Sequence, residues 1–128
     1  IVLCHRDFWV TNIIYSDGNI ILIDWDTTGW GYLGEDMASL IADEADIEHM
    51  VEYYHRCIPA YYKGFSEQAD ISHITDNCVY EMILLMFGYR LVEGYMDAGA
   101  GDKHQETDNE RTLLIRTLQK IFEIKNEQ

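Results

Sequence analysis

The spacing of apolar residues changes along the chain, from short runs typical of strands to a repeat typical of helices. Two β-branched runs, 12–15 and 20–23, flank the segment Ser16–Asn19. This segment contains an Asp-Gly pair, which favours a hairpin because glycine takes a positive φ without steric cost. Residues 1–4 predict a short buried strand, and residues 27–34, with three glycines, predict a loop.

From Asp36 onward, apolar residues recur at intervals of three and four, which indicates helices. A first helix begins at about Asp36, and Asp46 is suited to be the N-cap of a second. Pro59 lies within the second stripe and leaves open whether that helix kinks or restarts. Asp70 is the expected N-cap of a third, long and largely buried helix that runs to about Met96.

The pattern after the third helix predicts a mobile loop over 98–102 and a last helix. That helix carries the apolar stripe Leu114, Leu118, Ile121 and Phe122. The predicted fold class is therefore α+β and mostly α-helical, with a small β-hairpin region packed on a helical body. We expect one domain over 1–128, with strands and loops in 1–26 and a helical subdomain in 36–128.

Charge is distributed very unevenly in this chain, whose net charge is −14. Between Arg6 and Arg56 there is no Lys or Arg. The same stretch contains eleven carboxylates: Asp7, Asp17, Asp24, Asp26, Glu35, Asp36, Asp43, Glu44, Asp46, Glu48 and Glu52. Such a field argues against a nucleic-acid partner and favours cations, either a metal ion or a positively charged substrate. An ordinary solvated acidic face, balanced by a basic partner, explains the charge equally well.

Three other features of the sequence concern membrane association, the cellular compartment and whether the chain is part of a longer protein. No stretch approaches the roughly 20 apolar residues that a membrane span needs, so we expect no membrane partner. Three widely spaced cysteines among apolar neighbours predict free buried thiols in a reducing cytoplasm. Because the chain opens with Ile1 and an apolar run, we expect it to be a piece of a longer protein.

Two short segments contain the residues that point to chemistry. His5-Arg6-Asp7 is followed by Asn12 in the pattern H-R-D-x-x-x-x-N, and Ile23-Asp24-Trp25 follows one hairpin later. Asp7 could accept or orient a substrate hydroxyl proton, while Asn12 and Asp24 offer oxygen atoms to a metal. Because the hairpin folds the chain back, the three side chains can meet at one end of it. Hard oxygen ligands of this kind suit Mg²⁺ shared with ATP phosphates.

The run from Leu3 to about Ala42 resembles the aminoglycoside phosphotransferase and choline kinase family, which has a protein-kinase-like fold. The resemblance rests on His5-Arg6-Asp7 with Asn12, on Ile23-Asp24-Trp25, on Gly29, Gly31 and Gly34, and on Asp36-Met37-Ala38. It implies that Asp7 is the catalytic base, that Asn12 and Asp24 bind Mg²⁺, and that ATP is the co-substrate.

Other residues receive supporting roles from the same resemblance. His5 is expected to be a structural hydrogen-bonding residue, and Asp36 a buried acceptor that braces the catalytic loop. Asp43, Glu44 and Asp46 fall where some aminoglycoside kinases have substrate-binding carboxylates, and together with Asp26 they are the candidate substrate-binding residues.

Two departures from the family pattern bear on the predicted substrate, and the absence of an ATP-binding lobe bears on the predicted activity. Arg6 stands where the family usually has glycine, and Trp9-Val10-Thr11 replaces the common His-Pro-Gly, which suggests a different substrate. No glycine-rich phosphate loop or strand-borne lysine precedes the motif, and all four lysines follow it. We therefore expect a C-terminal lobe whose N-terminal lobe is missing, inactive or nearly so by itself, with an exposed lobe interface through which it could form a homodimer.

Three functions are compatible with this sequence. The leading one is an ATP-dependent kinase that phosphorylates a hydroxyl of a small cationic molecule, such as an aminoglycoside, choline or another amino alcohol. The second is a catalytically silent ligand-binding or interaction module of the same fold. The third is a metal-dependent hydrolase, for which Asp26 is the candidate additional carboxylate.

Overall fold

The computed structural model describes residues 1–42, 46–75, 77–98 and 104–126, the side chains of 98 and 104–107 excepted. The strands are β1 (Val2–Cys4), β2 (Ile13–Ser16), β3 (Asn19–Leu22) and β4 (Gly29–Gly31). The helices are α1 (Glu35–Ala42), α2 (Met50–Ser66), α3 (Cys78–Ile83), α4 (Tyr89–Ala98) and α5 (His104–Asn126). Short 3₁₀ turns occur at Val10–Asn12 and Ile47–His49, and a π-helical segment, Leu84–Gly88, joins α3 to α4. The predicted α+β class, mostly helical with small antiparallel sheets, is confirmed.

The strands form two separate antiparallel pairs. In the predicted hairpin, β2 pairs with β3 so that Ile13 lies opposite Leu22, and the turn residue Gly18 has a φ of 81°. The second pair joins β1 to β4, with Val2 opposite Gly31. The prediction of a loop over 27–34 was therefore wrong for β4. This strand has the sequence Gly-Trp-Gly, which carries no strand signal, and it exists because β1, far away in sequence, offers it a partner.

The first two helices lie close to where the apolar repeat predicted them. Asp46 caps the 3₁₀ turn that leads into α2, since its Oδ1 accepts a hydrogen bond of 3.1 Å from the backbone N–H of Glu48. α2 continues through Pro59 to Ser66, which answers the question that the sequence left open. Pro59 is exposed, whereas Tyr54 and Ile58 in the preceding turns lie on the buried face and hold the helix against the core.

The third predicted helix is shorter than expected, because it begins at Cys78 rather than after Asp70. Asp70 is not its N-cap: Asp70 Oδ1 accepts the backbone N–H of Ser72 at 3.0 Å and closes a local turn instead. The helical path is also interrupted by the π-helical segment before α4. Residues 99–102 of the predicted loop lie outside the described part of the chain.

Helices supply nearly all of the hydrophobic core. Side chains from α1, α2, α3, the π-helical segment and α5 form one cluster: Met37, Ala38, Ile41, Ala42, Met50, Val51, Tyr54, Ile58, Val79, Tyr80, Ile83, Phe87, Ile121 and Ile124. In α5 the buried stripe includes Ile124, whereas Phe122, which the sequence assigned to it, is half exposed. In the described segments, no helix has the length and apolar character to cross a membrane.

Candidate active site

Asp7 lies on the loop between β1 and the first 3₁₀ turn, and both of its carboxylate oxygens accept hydrogen bonds. The indole Nε1–H of Trp9 donates to Oδ1, and the amide Nδ2 of Asn12 donates to Oδ2 at 3.0 Å. Asn12 Nδ2 also donates to the backbone oxygen of Asp7 at 2.9 Å. Two side chains therefore fix the orientation of this carboxylate. Because the Asn12 nitrogen faces Asp7, its Oδ1 is the atom of that amide that can bind a metal.

The backbone of this loop is attached to the first turn of α1 through Asp36. The N–H of His5 donates to Asp36 Oδ2 at 2.7 Å, and the N–H of Arg6 donates to Asp36 Oδ1 at 2.8 Å. Hydrogen bonds to a charged acceptor are stronger than those between neutral groups. One half-buried carboxylate thus holds two consecutive backbone amides and fixes the backbone directly before Asp7.

His5 joins the loop to the end of β3. Its side chain is only 3% exposed, and its Nε2 lies 2.9 Å from the backbone oxygen of Ile23. The ring packs on Trp25 with centroids 4.5 Å apart, and Thr27 Oγ1 donates to the backbone oxygen of His5 at 3.2 Å. His5 therefore connects the segment that precedes Asp7 with the two residues that flank Asp24.

Asp24 follows β3 in a left-handed conformation, with a φ of 65°. This region is uncommon for residues other than glycine, and such strain is concentrated at functional sites. A hydrogen bond with the Asp26 carboxyl, followed by repulsion from the same group, raises the pKa of Asp24, and the charge of Asp7 adds to the shift. The charges of Asp26 and Asp7 are therefore both close enough to act on the Asp24 carboxylate.

The comparison with protein families decides the identification. The family model described as "Phosphotransferase enzyme family" matches residues 1–66, which is just over half of the chain and includes every contact described above. The chain belongs to this family. Comparisons with curated proteins and with solved structures gave no match. The assignment to this family therefore rests on the match of its model to residues 1–66.

The donor atoms around Asp24 fit a hard divalent cation. Asp24 and Asp26 offer carboxylate oxygens and Asn12 offers its Oδ1, and a cation would relieve the repulsion that Asp24 experiences from Asp26 and Asp7. Within the described segments, no group of three or more His, Cys, Asp or Glu side chains is arranged to hold a metal. Mg²⁺ is usually held by one or two carboxylates together with substrate phosphates. Asp24 would supply one such carboxylate, and Asn12 Oδ1 would add a neutral oxygen.

The structure gives a physical reason for the unusual residue at position 6. Arg6 has a φ of 68°, a conformation that glycine adopts freely and that costs other residues roughly 1 kcal/mol or more. Its side chain lies against Gly29, where an added Cβ would be 3.1 Å from the Arg6 Nη1. Its Nε lies 3.8 Å from Glu35 Oε1. Arg6 thus bridges the loop that carries Asp7, β4 and α1 in a way that glycine could not.

The remaining candidate carboxylates are distributed differently. Asp43 and Glu44 lie outside the described residues. Asp46 has two hydrogen-bonding partners near the start of α2. Its Oδ1 accepts the backbone N–H of Glu48, and its Oδ2 lies 2.7 Å from His49 Nδ1. The hydrogen bond from His49, and then that from the Glu48 backbone, lowers the pKa of Asp46. The Asp46 carboxylate therefore has a local structural role, whereas Asp26 contacts the site directly through Asp24.

Sequence reasoning missed two residues that contact the site. Trp9 donates to Asp7, although the sequence analysis treated it only as part of an unusual loop rim. Its signal was an aromatic N–H donor two residues after the predicted base. Thr27, which holds the backbone of His5, gave no signal because it lies in a segment predicted as a loop.

Proposed function

We propose that this phosphotransferase transfers the γ-phosphate of ATP to a hydroxyl group of a small cationic molecule, with Asp7 as the base. The observation that supports this most is the relation of Asp7 to the two proposed metal ligands. The Asp7 carboxylate is oriented by Asn12, and its charge acts on Asp24 across the hairpin. A hydroxyl acceptor, a base and a metal-bound phosphate need this kind of arrangement.

The role proposed for Asp7 is to accept the proton of the acceptor hydroxyl as that oxygen attacks phosphorus. Phosphoryl transfer depends mainly on positioning, because the protein does little covalent chemistry. The hydrogen bonds from Trp9 and Asn12 to Asp7, and those from the loop amides to Asp36, keep the base in one orientation. They remove the freedom that Asp7 would otherwise lose when substrate binds.

Asp24 and Asn12 Oδ1 would hold Mg²⁺, and Asp26 would support Asp24. When bound, this ion neutralises charge on the phosphates of ATP. The protein side of the site contributes the strained backbone of Asp24 and the contact between His5 and Ile23, which holds the segment that carries Asp24 beside the segment that precedes Asp7.

A cationic acceptor, of the aminoglycoside, choline or amino-alcohol type, is proposed from the charge of the region around the site. Arg6 is the only Lys or Arg among the first 55 residues. A field of this sign concentrates cations and speeds their binding. Asp26, Asp43, Glu44 and Asp46 remain the proposed acceptor-binding carboxylates, and Asp26 is the one that contacts Asp24.

We further propose that this chain is a protein-kinase-like C-terminal lobe and that a second lobe covers its strands. Large apolar side chains are exposed on the strands and their loops, among them Leu3, Ile20, Ile21, Trp25 and Trp30. Exposed apolar surface of this extent is typical of an interaction site. A second lobe placed there would enclose ATP between itself and Asp24.

The test is ATP consumption by the two-lobed protein with Mg²⁺ and a panel of cationic and neutral hydroxyl acceptors. We expect turnover with a cationic acceptor, a KM for that acceptor that rises with salt, and a turnover lowered by roughly 10²–10⁴-fold in Asp7→Ala. Asp17→Asn is the matched control, because Asp17 lies in the hairpin turn and asparagine tolerates its φ of 51°. Full activity in Asp7→Ala would refute the proposed base. ATP binding without turnover of any acceptor would instead favour the silent ligand-binding module.

A further inference from the structure

The π-helical segment and α4 carry an apolar stripe that is turned toward solvent. Four side chains spaced four, three and four residues apart are largely exposed: Leu85 by 70%, Tyr89 by 66%, Val92 by 51% and Met96 by 69%. The spacing places Tyr89, Val92 and Met96 on one face of α4. A helix normally turns such a stripe toward a core. In the described part of this chain, the stripe faces outward.

α5 continues the same surface. Val92 of α4 and Ile115 of α5 line one open groove of about 160 Å³, whose other walls are Leu91, Tyr95, Leu114 and Leu118. Ile115 is 44% exposed, and Phe122, two helical turns further along α5, is 50% exposed. We define the α4–α5 face as the exposed side chains Leu85, Tyr89, Val92, Met96, Ile115 and Phe122.

Charge distinguishes the α4–α5 face from the strands, which also expose apolar side chains. Residues 84–98 and 108–126 together contain five basic and five acidic side chains. Residues 1–42 contain one arginine and six carboxylates. Two copies that met through their strands would bring like charges together, at an electrostatic cost. Two copies that met through the α4–α5 face would not.

The size of the face is sufficient for self-association. Six side chains that each expose roughly 100 Å² would remove about 600 Å² per copy from water, or about 1,200 Å² in a pair. This total lies at the lower end of stable interfaces. The groove is similar in volume to a cavity that holds one benzene ring, at about 150 Å³. It can therefore receive one aromatic or branched side chain from a second copy.

We propose that the chain forms a two-fold symmetric homodimer in which the α4–α5 faces of two copies pack together as four helices. A two-fold interface must be self-complementary, and this face carries both protruding side chains and a groove. The lobe interface, where the sequence analysis placed a homodimer, is disfavoured by its carboxylates. This dimer leaves the strands free for the second lobe and does not depend on the proposed phosphotransfer.

The test is the molar mass of the chain in solution, by light scattering and sedimentation across a concentration series. We expect a species of twice the chain mass of 15.0 kDa. Val92→Glu should raise the dissociation constant by at least about 100-fold, because it places an unpaired charge at the centre of the interface. Ile20→Glu is the matched control: Ile20 is 69% exposed on β3, and its substitution should leave the dimer intact.

Three further results would decide the proposal. Circular dichroism and thermal unfolding should show both variants folded, and Met96→Lys provides a second interface variant, expected to dissociate the dimer as Val92→Glu does. The dimer should persist from low to high salt, because the face is apolar and the basic and acidic side chains of the segments that carry it balance. A chain that is monomeric at every concentration would overturn the proposal, as would dissociation by Ile20→Glu alone or a dimer that forms only in high salt.

Discussion

The strands with their loops and the helical body differ most in where their apolar side chains lie. In the helical body, fourteen apolar residues form one buried cluster. Before Met37, the buried side chains of the described chain are Cys4 and His5, although that region contains many isoleucines and three tryptophans. The free energy of folding therefore comes mainly from the helices. The strands and their loops leave apolar and charged groups exposed instead.

The two regions also treat carboxylates in opposite ways. Neighbouring Asp26 raises the pKa of Asp24 at the site, whereas hydrogen bonding to His49 lowers the pKa of Asp46 at the start of the helical body. For a carboxyl group, a raised pKa means that the folded chain disfavours the charged form, whereas a lowered pKa means that the folded chain stabilises the charged form. The acidic cluster near Asp7 thus works against stability at neutral pH. Clusters of this kind are typical of functional sites.

The largest expected effect is a difference in stability loss between a substitution in the helical body and the same substitution in the strands. Ile83→Ala removes a fully buried side chain of α3 and should lower the free energy of unfolding by about 2–5 kcal/mol. The matched change Ile20→Ala, on exposed β3, should change it by no more than about 0.5 kcal/mol. Denaturant unfolding measures both. Equal losses would contradict the division between a stabilising body and an exposed strand region.

A smaller effect should come from Asp36, which links the regions. Asp36→Ala leaves the amides of His5 and Arg6 without their acceptor and should cost about 2 kcal/mol of stability, together with part of the activity. Faster hydrogen exchange at these two amides would locate the effect. Asp108→Ala, at an exposed position of α5, is the control and should change little. Unchanged exchange in Asp36→Ala would show that the loop is held by other contacts.

The smallest effect should be a dependence of stability on pH that involves Asp46 and His49. Asp46 raises the pKa of His49 above 6.5, so this contribution is complete below pH 6.5 and is lost as the pH rises through the folded value. His49 lowers the pKa of Asp46 below 3.8, so that contribution is present above pH 3.8 and is lost as the pH falls. Both groups are exposed, and His49→Gln should flatten the profile at both ends. The same profile in that variant would contradict the pairing.

Local patterns in the sequence predicted the parts of the fold that depend on neighbouring residues. The hairpin followed from an Asp-Gly pair between β-branched runs, and the cap at Asp46 followed from a short polar side chain before an apolar repeat. β4 and the late start of α3 could not be predicted in this way. The first depends on pairing with β1, and the second on a competing turn at Asp70.

For the candidate site, the sequence by itself determined which residue types are present and that a hairpin separates Asp7 from Asp24. Only the tertiary structure decided their environment: Trp9 donates to Asp7, Asp36 holds two loop amides, and Asp26 rather than Asp46 contacts Asp24. It also decided that the apolar stripe of α4, predicted to be buried, faces solvent. The physical reason is the same in each case. Hydrogen-bonding capacity and apolar spacing belong to a residue and its neighbours in sequence, whereas partners and burial depend on segments that folding brings together from far apart.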